Sequence, residues 1–310
     1  MDMNVVVTGA TGFVGQWLVN ELIVANNYVY ILARDKNKVP SNWKNNVKII
    51  ECGLEKLKLL DDSWCMEHKP EVFYHLAWAG TAGEQRADVD LQLRNVKFTV
   101  DAVNLAKRIG CKKFINAGSI MEYEAVKYMM QDSAKPGMGY VYSSAKLTAD
   151  FMAKAVANNI GISYINIIIS NIYGKGEYSV RFLNSTLRKM LNNEKISMTS
   201  GLQLYDFIYV QDAARAIRIV GEKGEKSKNY YIGNKEQKTL KDFVVEMKKI
   251  LQSDSEIGFG DIEFEGPMLN YKEFDTYAVY ELGFDIEVSF EDGIKKTKEW
   301  LLECDYEKRI

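Results

Sequence analysis

The sequence predicts an α/β fold, a doubly wound parallel sheet followed by a smaller C-terminal α/β lobe. Three observations lead there. Short β-branched runs alternate with helical patterns through the first half, a glycine-spaced turn follows the first run, and composition is that of a globular chain. At 310 residues the chain is long for one domain. The expected division assigns residues 1–170 with about 207–233 to the sheet domain, and 171–206 with 234–310 to the lobe.

The first element, Asn4-Val5-Val6-Val7, is apolar enough for a buried parallel strand, and Phe13, Val14, Trp17, Leu18, Leu22 and Ile23 then recur with helical spacing. Between them lie Gly9, Gly12 and Gly15, with Thr8 and Thr11 in the same turn. Gly9 allows the tight turn, Gly12 lets backbone approach a pyrophosphate, and Gly15 lets helix pack on strand. Strand, glycines and helix in this order are the entry to a Rossmann dinucleotide site. The second strand, Tyr28 to Ala33, ends at Ala33-Arg34, where an NAD site usually has an acid for the ribose 2′-hydroxyl. A small residue followed by a guanidinium suits a 2′-phosphate instead, so NADP(H) is the expected cofactor, with NAD(H) as the other possibility.

Further strands are expected at Val47–Ile50, Val72–Leu76, Lys113–Ile115 and Ser163–Ile169, with Tyr230-Tyr231-Ile232 beyond them. Ligands of such sheets bind at the carboxyl ends of the strands. After the fourth strand, Leu76-Ala77-Trp78-Ala79-Gly80 offers small residues past which a cofactor could lie, or which simply pack a loop. After the fifth, Ser119 projects a hydroxyl into the same crevice. Tyr142 and Lys146 then stand four apart at the opening of a helical pattern carried by Leu147, Phe151, Met152 and Ala155, so phenol and ammonium address one site. A phenol titrating near about 10 becomes a useful proton donor when a neighbouring cation favours its anion. Tyr140, two residues earlier, lacks a Lys four residues on. Helical spacing recurs at Phe182, Leu183, Leu187 and Met190, a capped helix is expected from Asp212, and another runs through Phe243–Leu251.

Forty basic residues against forty-two acidic ones give a net charge of −2, with no basic run that would mark nucleic acid or an anionic membrane as a partner. Cys52, Cys65, Cys111 and Cys304 form no C-x-x-C pair, and His68 and His75 are too few for a metal constellation. That usage fits a reducing cytoplasm. The first residues enter a strand at once, and no apolar stretch is long enough for a bilayer, so neither export nor membrane insertion is expected.

Thr8–Gly15, Ser119 with Glu122-Tyr123, Tyr142/Lys146, Asn171-Ile172-Tyr173-Gly174 and Tyr205–Asp212 together resemble the extended short-chain dehydrogenase/reductase family, in its branch acting on nucleotide sugars. The likeness extends to Glu281–Phe284, Ser289–Ile294 and Trp300. It implies Ser119, Tyr142 and Lys146 as the catalytic set, with Asn95 matching the family's active-site asparagine. It also implies a cofactor cradle of Gly9, Thr11, Gly12, Phe13, Val14, Gly15, Arg34, Leu54, Leu76, Ala77, Trp78, Asn95, Tyr142, Lys146, Ile169 and Asn171. A homodimer built on the helices near Val96–Ile109 and Tyr142–Ala157 is implied too, with Phe98, Val103, Val141, Leu147 and Phe151 as its apolar contacts.

Departures from the family narrow the chemistry. The dehydratase branch has an acidic pair after its Ser/Thr, where this chain has Ile120 and Met121, and Glu122 comes one position late. An arginine that usually grips the substrate diphosphate is replaced by Tyr205, leaving Lys175 and Arg181 as candidates beside Ser119 and Asn171 for substrate binding. Gly53-Leu54 stands where an Asp often helps hold adenine. The leading expectation is NADPH-dependent reduction of a nucleotide-linked 4-keto-6-deoxy sugar at C4. The alternative is a 4-epimerase that retains its cofactor, and a remote one is a non-catalytic dinucleotide sensor.

Overall fold

In the computed structural model, residues 3–43, 47–131, 135–264 and 266–304 are described. Seven strands form one parallel sheet: β1 (Asn4–Thr8), β2 (Tyr28–Ala33), β3 (Val47–Glu51), β4 (Val72–His75), β5 (Lys113–Ala117), β6 (Ser163–Ile169) and β7 (Asn229–Ile232). Their order is 3-2-1-4-5-6-7, so the winding reverses between β1 and β4 and opens a crevice at the carboxyl ends of those two strands. The expected doubly wound sheet is present, and β5 runs two residues longer than its apolar run suggests.

Strand alternation divides the core into two layers. Val5 and Val7 point into a cluster shared with Leu18, Leu22, Ala213 and Ile217, whereas Val6 points to the opposite face with Ala102, Leu105, Ala153 and Ala157. The first face is therefore covered by α1 (Phe13–Val24) and α6 (Val210–Lys223), and the second by α2 (Val89–Arg108) and α4 (Tyr140–Ile160). Between them, α3 (Met121–Met129) leads from β5 toward α4. All three valines of β1 are fully buried, as a central parallel strand requires.

The larger apolar side chains of α4 point away from the core: Phe151 and Met152 are 68% and 53% exposed, while Ala145, Ala149, Ala153 and Ala157 are buried. Alanine lets α4 approach α2 closely, and larger side chains would not fit that seam. The helix expected to be capped by Asp212 starts earlier, with Tyr209 as its N-cap and no side-chain cap. The fully buried Asp212 instead accepts hydrogen bonds from the backbone of Glu287 and Val288 and pairs with Arg215 at 2.7 Å.

Outside the sheet, residues Ile172–Tyr173 pair with Ile208–Tyr209, Leu204–Tyr205 with Lys238–Thr239, and Ile196–Met198 with Ile257–Phe259. Helices α5 (Phe182–Leu191), α7 (Leu240–Leu251) and α9 (Phe290–Glu303) pack there around Phe207, Phe243 and Phe290; the fourth, α8 (Ala278–Glu281), is one turn long. Asp206 ties these elements to the sheet. Its fully buried carboxylate accepts from the hydroxyls of Ser170, Tyr231 and Tyr271 and from the Asn234 backbone. Among the described residues no helix is long and apolar enough to cross a membrane.

Candidate active site

The glycine turn between β1 and α1 is shaped by contacts that exclude side chains. Gly9 has φ +76°, and a Cβ on it would lie 2.6 Å from the Ala77 nitrogen; a Cβ on Gly15 would overlap the Gly9 carbonyl. Gly12 is exposed and serves as the N-cap of α1 with no side-chain cap, so the first-turn amides at Phe13 and Val14 remain open to an anion. A cradle that a methyl group would fill, at the positive end of a helix, fits a dinucleotide pyrophosphate. Thr11 lends its carbonyl to the Gln16 side chain at 3.0 Å and closes the turn.

Beyond the end of β2, where Ala33 pairs with Glu51 of β3, Arg34 follows and is exposed. No acid occupies the end of β2. Leu54 is half-buried beyond β3, and the Glu55 carboxylate folds over Gly53, where a Cβ would collide with it.

The loop after β4 is anchored from beneath. Asn95, 2% exposed, accepts from the Ala79 amide at 3.1 Å and donates to its carbonyl at 2.8 Å, so both ends of its amide position this loop. Gln92 accepts from the Trp78 indole at 2.8 Å and donates to the carbonyls of Gly80 and Gln85. His75, bonded to the Thr8 hydroxyl at 2.8 Å, is held neutral, its pKa pushed down to about 3 by burial and then by the Lys146 charge.

Ser119, Tyr142 and Lys146 converge at the carboxyl end of β5. The Ser119 hydroxyl accepts from the Met121 amide at 3.2 Å and acts on the Tyr142 phenol, which is 7% exposed. The Lys146 ammonium donates to the Ala117 carbonyl at 2.7 Å and sits 3.7 Å over the Trp78 ring. Burial holds the phenol above its ordinary value, opposed by the charges of Arg181 and Arg86 and by the Ser119 hydrogen bond. Lys146, expected to tune the phenol, is engaged elsewhere: burial pushes its ammonium down, and the Glu122 carboxylate opposes that. Glu122, 3% exposed, accepts from the Ser119 backbone at 2.8 Å and from Asn166 at 3.1 Å. Burial and then Asp150 push Glu122 up, with Lys146 acting against them.

The other expected residues are placed as follows. The Ile169 carbonyl accepts from the Ile120 amide, and the Asn171 carbonyl from Ile208, which fixes the end of β6 beside Ser119. Arg181, just ahead of α5, pairs with Glu177 at 3.6 Å and acts on the Tyr142 phenol. Lys175 lies apart from that centre. It lines a crevice of about 250 Å³ with Trp17, Tyr209 and Trp300, and its carbonyl accepts from the Trp17 indole. Tyr205 is half-buried and faces Glu124. Tyr140 packs against Tyr128 with the rings tilted and their centroids 4.4 Å apart.

Arg86 was not legible as a site residue. It lies in the turn Glu84–Ala87 after β4, and its guanidinium sits 4.4 Å over the Tyr142 ring. The small residues of the preceding loop were the one local signal. Among the described residues no group of three or more His, Cys, Asp or Glu could hold a metal.

A dinucleotide cradle and a Ser-Tyr-Lys centre on one crevice agree with a match of residues 5–233 to a known family profile. The chain belongs to the NAD dependent epimerase/dehydratase family. It is an enzyme of the extended short-chain dehydrogenase/reductase type. CDP-abequose synthase of Salmonella muenchen is 24% identical over 301 residues, covering 96% of this chain and 98% of that one. The Arabidopsis thaliana trifunctional UDP-glucose 4,6-dehydratase/UDP-4-keto-6-deoxy-D-glucose 3,5-epimerase/UDP-4-keto-L-rhamnose-reductase is 22% identical over 312 residues. This member of the NAD dependent epimerase/dehydratase family spans 46% of that protein's length. Among solved structures, UDP-glucose 4-epimerase of Thermotoga maritima has a TM-score of 0.75 at 23% identity, covering 97% of this chain and 99% of that one.

Proposed function

We propose that this enzyme reduces a nucleotide-linked 4-keto-6-deoxy sugar at C4, with NADPH as the preferred cofactor. The observation that carries the reading is the convergence of buried Ser119, Tyr142 and Lys146 at the carboxyl end of β5 in a centre that lacks a dehydratase acid pair. Ile120 and Met121 cannot exchange protons, and the Glu122 carboxylate is bound beneath Ser119. The bound nicotinamide would supply hydride to the carbonyl carbon. Tyr142 would give its phenolic proton to the oxygen as negative charge develops, and Ser119 would donate a hydrogen bond to that oxygen. Lys146, one helical turn along, would hold the nicotinamide ribose. Relatives whose names include a 4-keto sugar reductase and a CDP-sugar synthase support the substrate class.

NADPH is favoured by exposed Arg34 directly after Ala33, without an acid at the end of β2. The second reading, a 4-epimerase with retained cofactor, is favoured by the likeness to UDP-glucose 4-epimerase. To test the pair, the protein is mixed with NADPH or NADH and a panel of nucleotide 4-keto-6-deoxy sugars. Stoichiometric loss of nicotinamide absorbance with a reduced product supports the reductase; interconversion of nucleotide sugars without net cofactor oxidation overturns it in favour of the epimerase.

The division of labour goes with this reading: residues 1–170 and about 207–233 hold cofactor, while 171–206 and 234–310 hold substrate. A homodimer in the cytoplasm completes it. Val89, Leu93, Phe151 and Met152 leave apolar surface on α2 and α4, although Val103, expected in that interface, is fully buried in the core. Light scattering that gives a monomer mass would sink the dimer.

A further inference from the structure

The Arg86 guanidinium lies 4.4 Å over the Tyr142 ring, carried there by the turn Glu84–Ala87 that follows β4. The turn is fixed on both sides. Gln92 donates to the carbonyls of Gly80 and Gln85 at 3.0 Å each, the Arg86 amide donates to the Gly83 carbonyl, and Asp88 caps α2 by accepting from the Leu91 amide. The Arg86 side chain is half-buried, yet among the described residues its guanidinium finds no acceptor and no ion-pair partner. Glu124 on α3 feels its charge from beyond ion-pair distance. Stacking on the phenol uses the face of the guanidinium and leaves its edge of N–H donors for another acceptor. A planar donor fork is thus held ready beside the phenol with nothing from the protein to fill it.

We propose that Arg86 determines substrate specificity by donating to the oxygen on C3 of the sugar, so that the enzyme prefers 3-hydroxylated 4-keto-6-deoxy sugars to their 3-deoxy counterparts. This rests on the reading that Tyr142 gives its proton to the C4 oxygen. That reading puts C4 at the phenol, and a guanidinium stacked on the same ring faces the substituents of the two carbons flanking C4. One of these, C5, carries the methyl group, which accepts no hydrogen bond; the other, C3, carries oxygen. The nucleotide diphosphate hangs from C1, across the pyranose ring, so Arg86 does not stand in for the arginine replaced by Tyr205. A site whose donors are committed to a substrate hydroxyl rejects the analogue without it, because donors stripped of water are then left unpaired.

The test reads binding apart from turnover. Wild type, Arg86→Ala and Arg86→Lys are titrated calorimetrically with UDP-, CDP- and dTDP-linked 6-deoxyhexoses, their 3-deoxy counterparts and the corresponding hexuronates, none of which carries a keto group. Wild type should bind the 3-hydroxylated sugar roughly 10–100-fold more tightly than the 3-deoxy one. The ratio should collapse toward one in Arg86→Ala and be partly kept in Arg86→Lys. Equal binding of the two by wild type, or equal losses on both in Arg86→Ala, would overturn the proposal and leave Arg86 as packing for Tyr142. A hexuronate bound more tightly than either, in a manner lost with Arg86→Ala, would overturn it in favour of a C6 carboxylate. The predicted ratio without reduction of the 4-keto forms by NADPH would uphold the role of Arg86 and overturn the reductase reading instead, while binding of none of these sugars would overturn both.

Discussion

The Glu122 carboxylate accepts the Ser119 backbone N–H at 2.8 Å, while the Ser119 hydroxyl oxygen accepts from the Met121 amide at 3.2 Å, so backbone and side chain of the serine are each held. The Glu122 carboxylate also accepts from Asn166, whose carbonyl oxygen accepts from Asn116 at 2.9 Å. Gly118 has to be glycine here, since a Cβ would come within 2.6–2.8 Å of Asn166 and Glu122.

Removing that acceptor should loosen the serine. Glu122→Ala leaves a buried amide unpaired, a loss of about 1–3 kcal/mol. Turnover should fall by roughly 10–100-fold. Glu122→Gln keeps a carbonyl for Ser119 and should lose less. Comparable kcat for Glu122→Ala and wild type would remove Glu122 from any positioning role.

Tyr142→Phe keeps the ring under Arg86 but removes the transferable proton. Turnover should drop by roughly 10²–10⁴-fold with cofactor binding largely kept. Ser119→Ala should cost about 10–10³-fold, since one hydrogen bond to the reacting oxygen is lost. Tyr140→Phe, packed against Tyr128, is the control and should stay near wild type. An inactive Tyr140→Phe beside an active Tyr142→Phe would reassign the donor.

Arg34→Ala should weaken NADPH by about 1.5–3 kcal/mol, roughly 10–150-fold in Kd, and leave NADH nearly unchanged. Isothermal titration with both cofactors checks this. Equal losses for the two would make Arg34 structural.

Asp206 carries a pH signature in stability. Its burial raises the carboxyl from 3.8 to about 6, against the hydrogen bonds it accepts from Tyr231, Asn234, Ser170 and Tyr271. The folded state therefore holds a proton that the unfolded state has released, and stability from this group declines as pH rises from about 4 to about 6. The slope is at most about 1.4 kcal/mol per pH unit. His75, with a depressed pKa, acts in the opposite sense as pH falls below about 6.5, so the comparison must be with Asp206→Asn. Urea unfolding of both proteins between pH 4 and pH 7 should show the variant lacking that decline; parallel curves would mean that Asp206 does not titrate there.

The sequence by itself determined what short-range chemistry can express. Gly9, Gly12 and Gly15 specify a turn whose contacts lie within a few residues, apart from the Gly9 approach to Ala77. β-Branched runs specified the strands, and the four-residue spacing of Tyr142 and Lys146 put them on one helix face. Only the tertiary structure decided which face of α4 is buried, because the helix offers an alanine stripe and a larger apolar stripe, and close packing on α2 selects the smaller one. It also decided the electrostatics. Arg86, Arg181 and Glu122 reach Tyr142 and Lys146 from other elements, and their charges matter because the strands and helices between them bring them together out of water, a juxtaposition that no local spacing encodes.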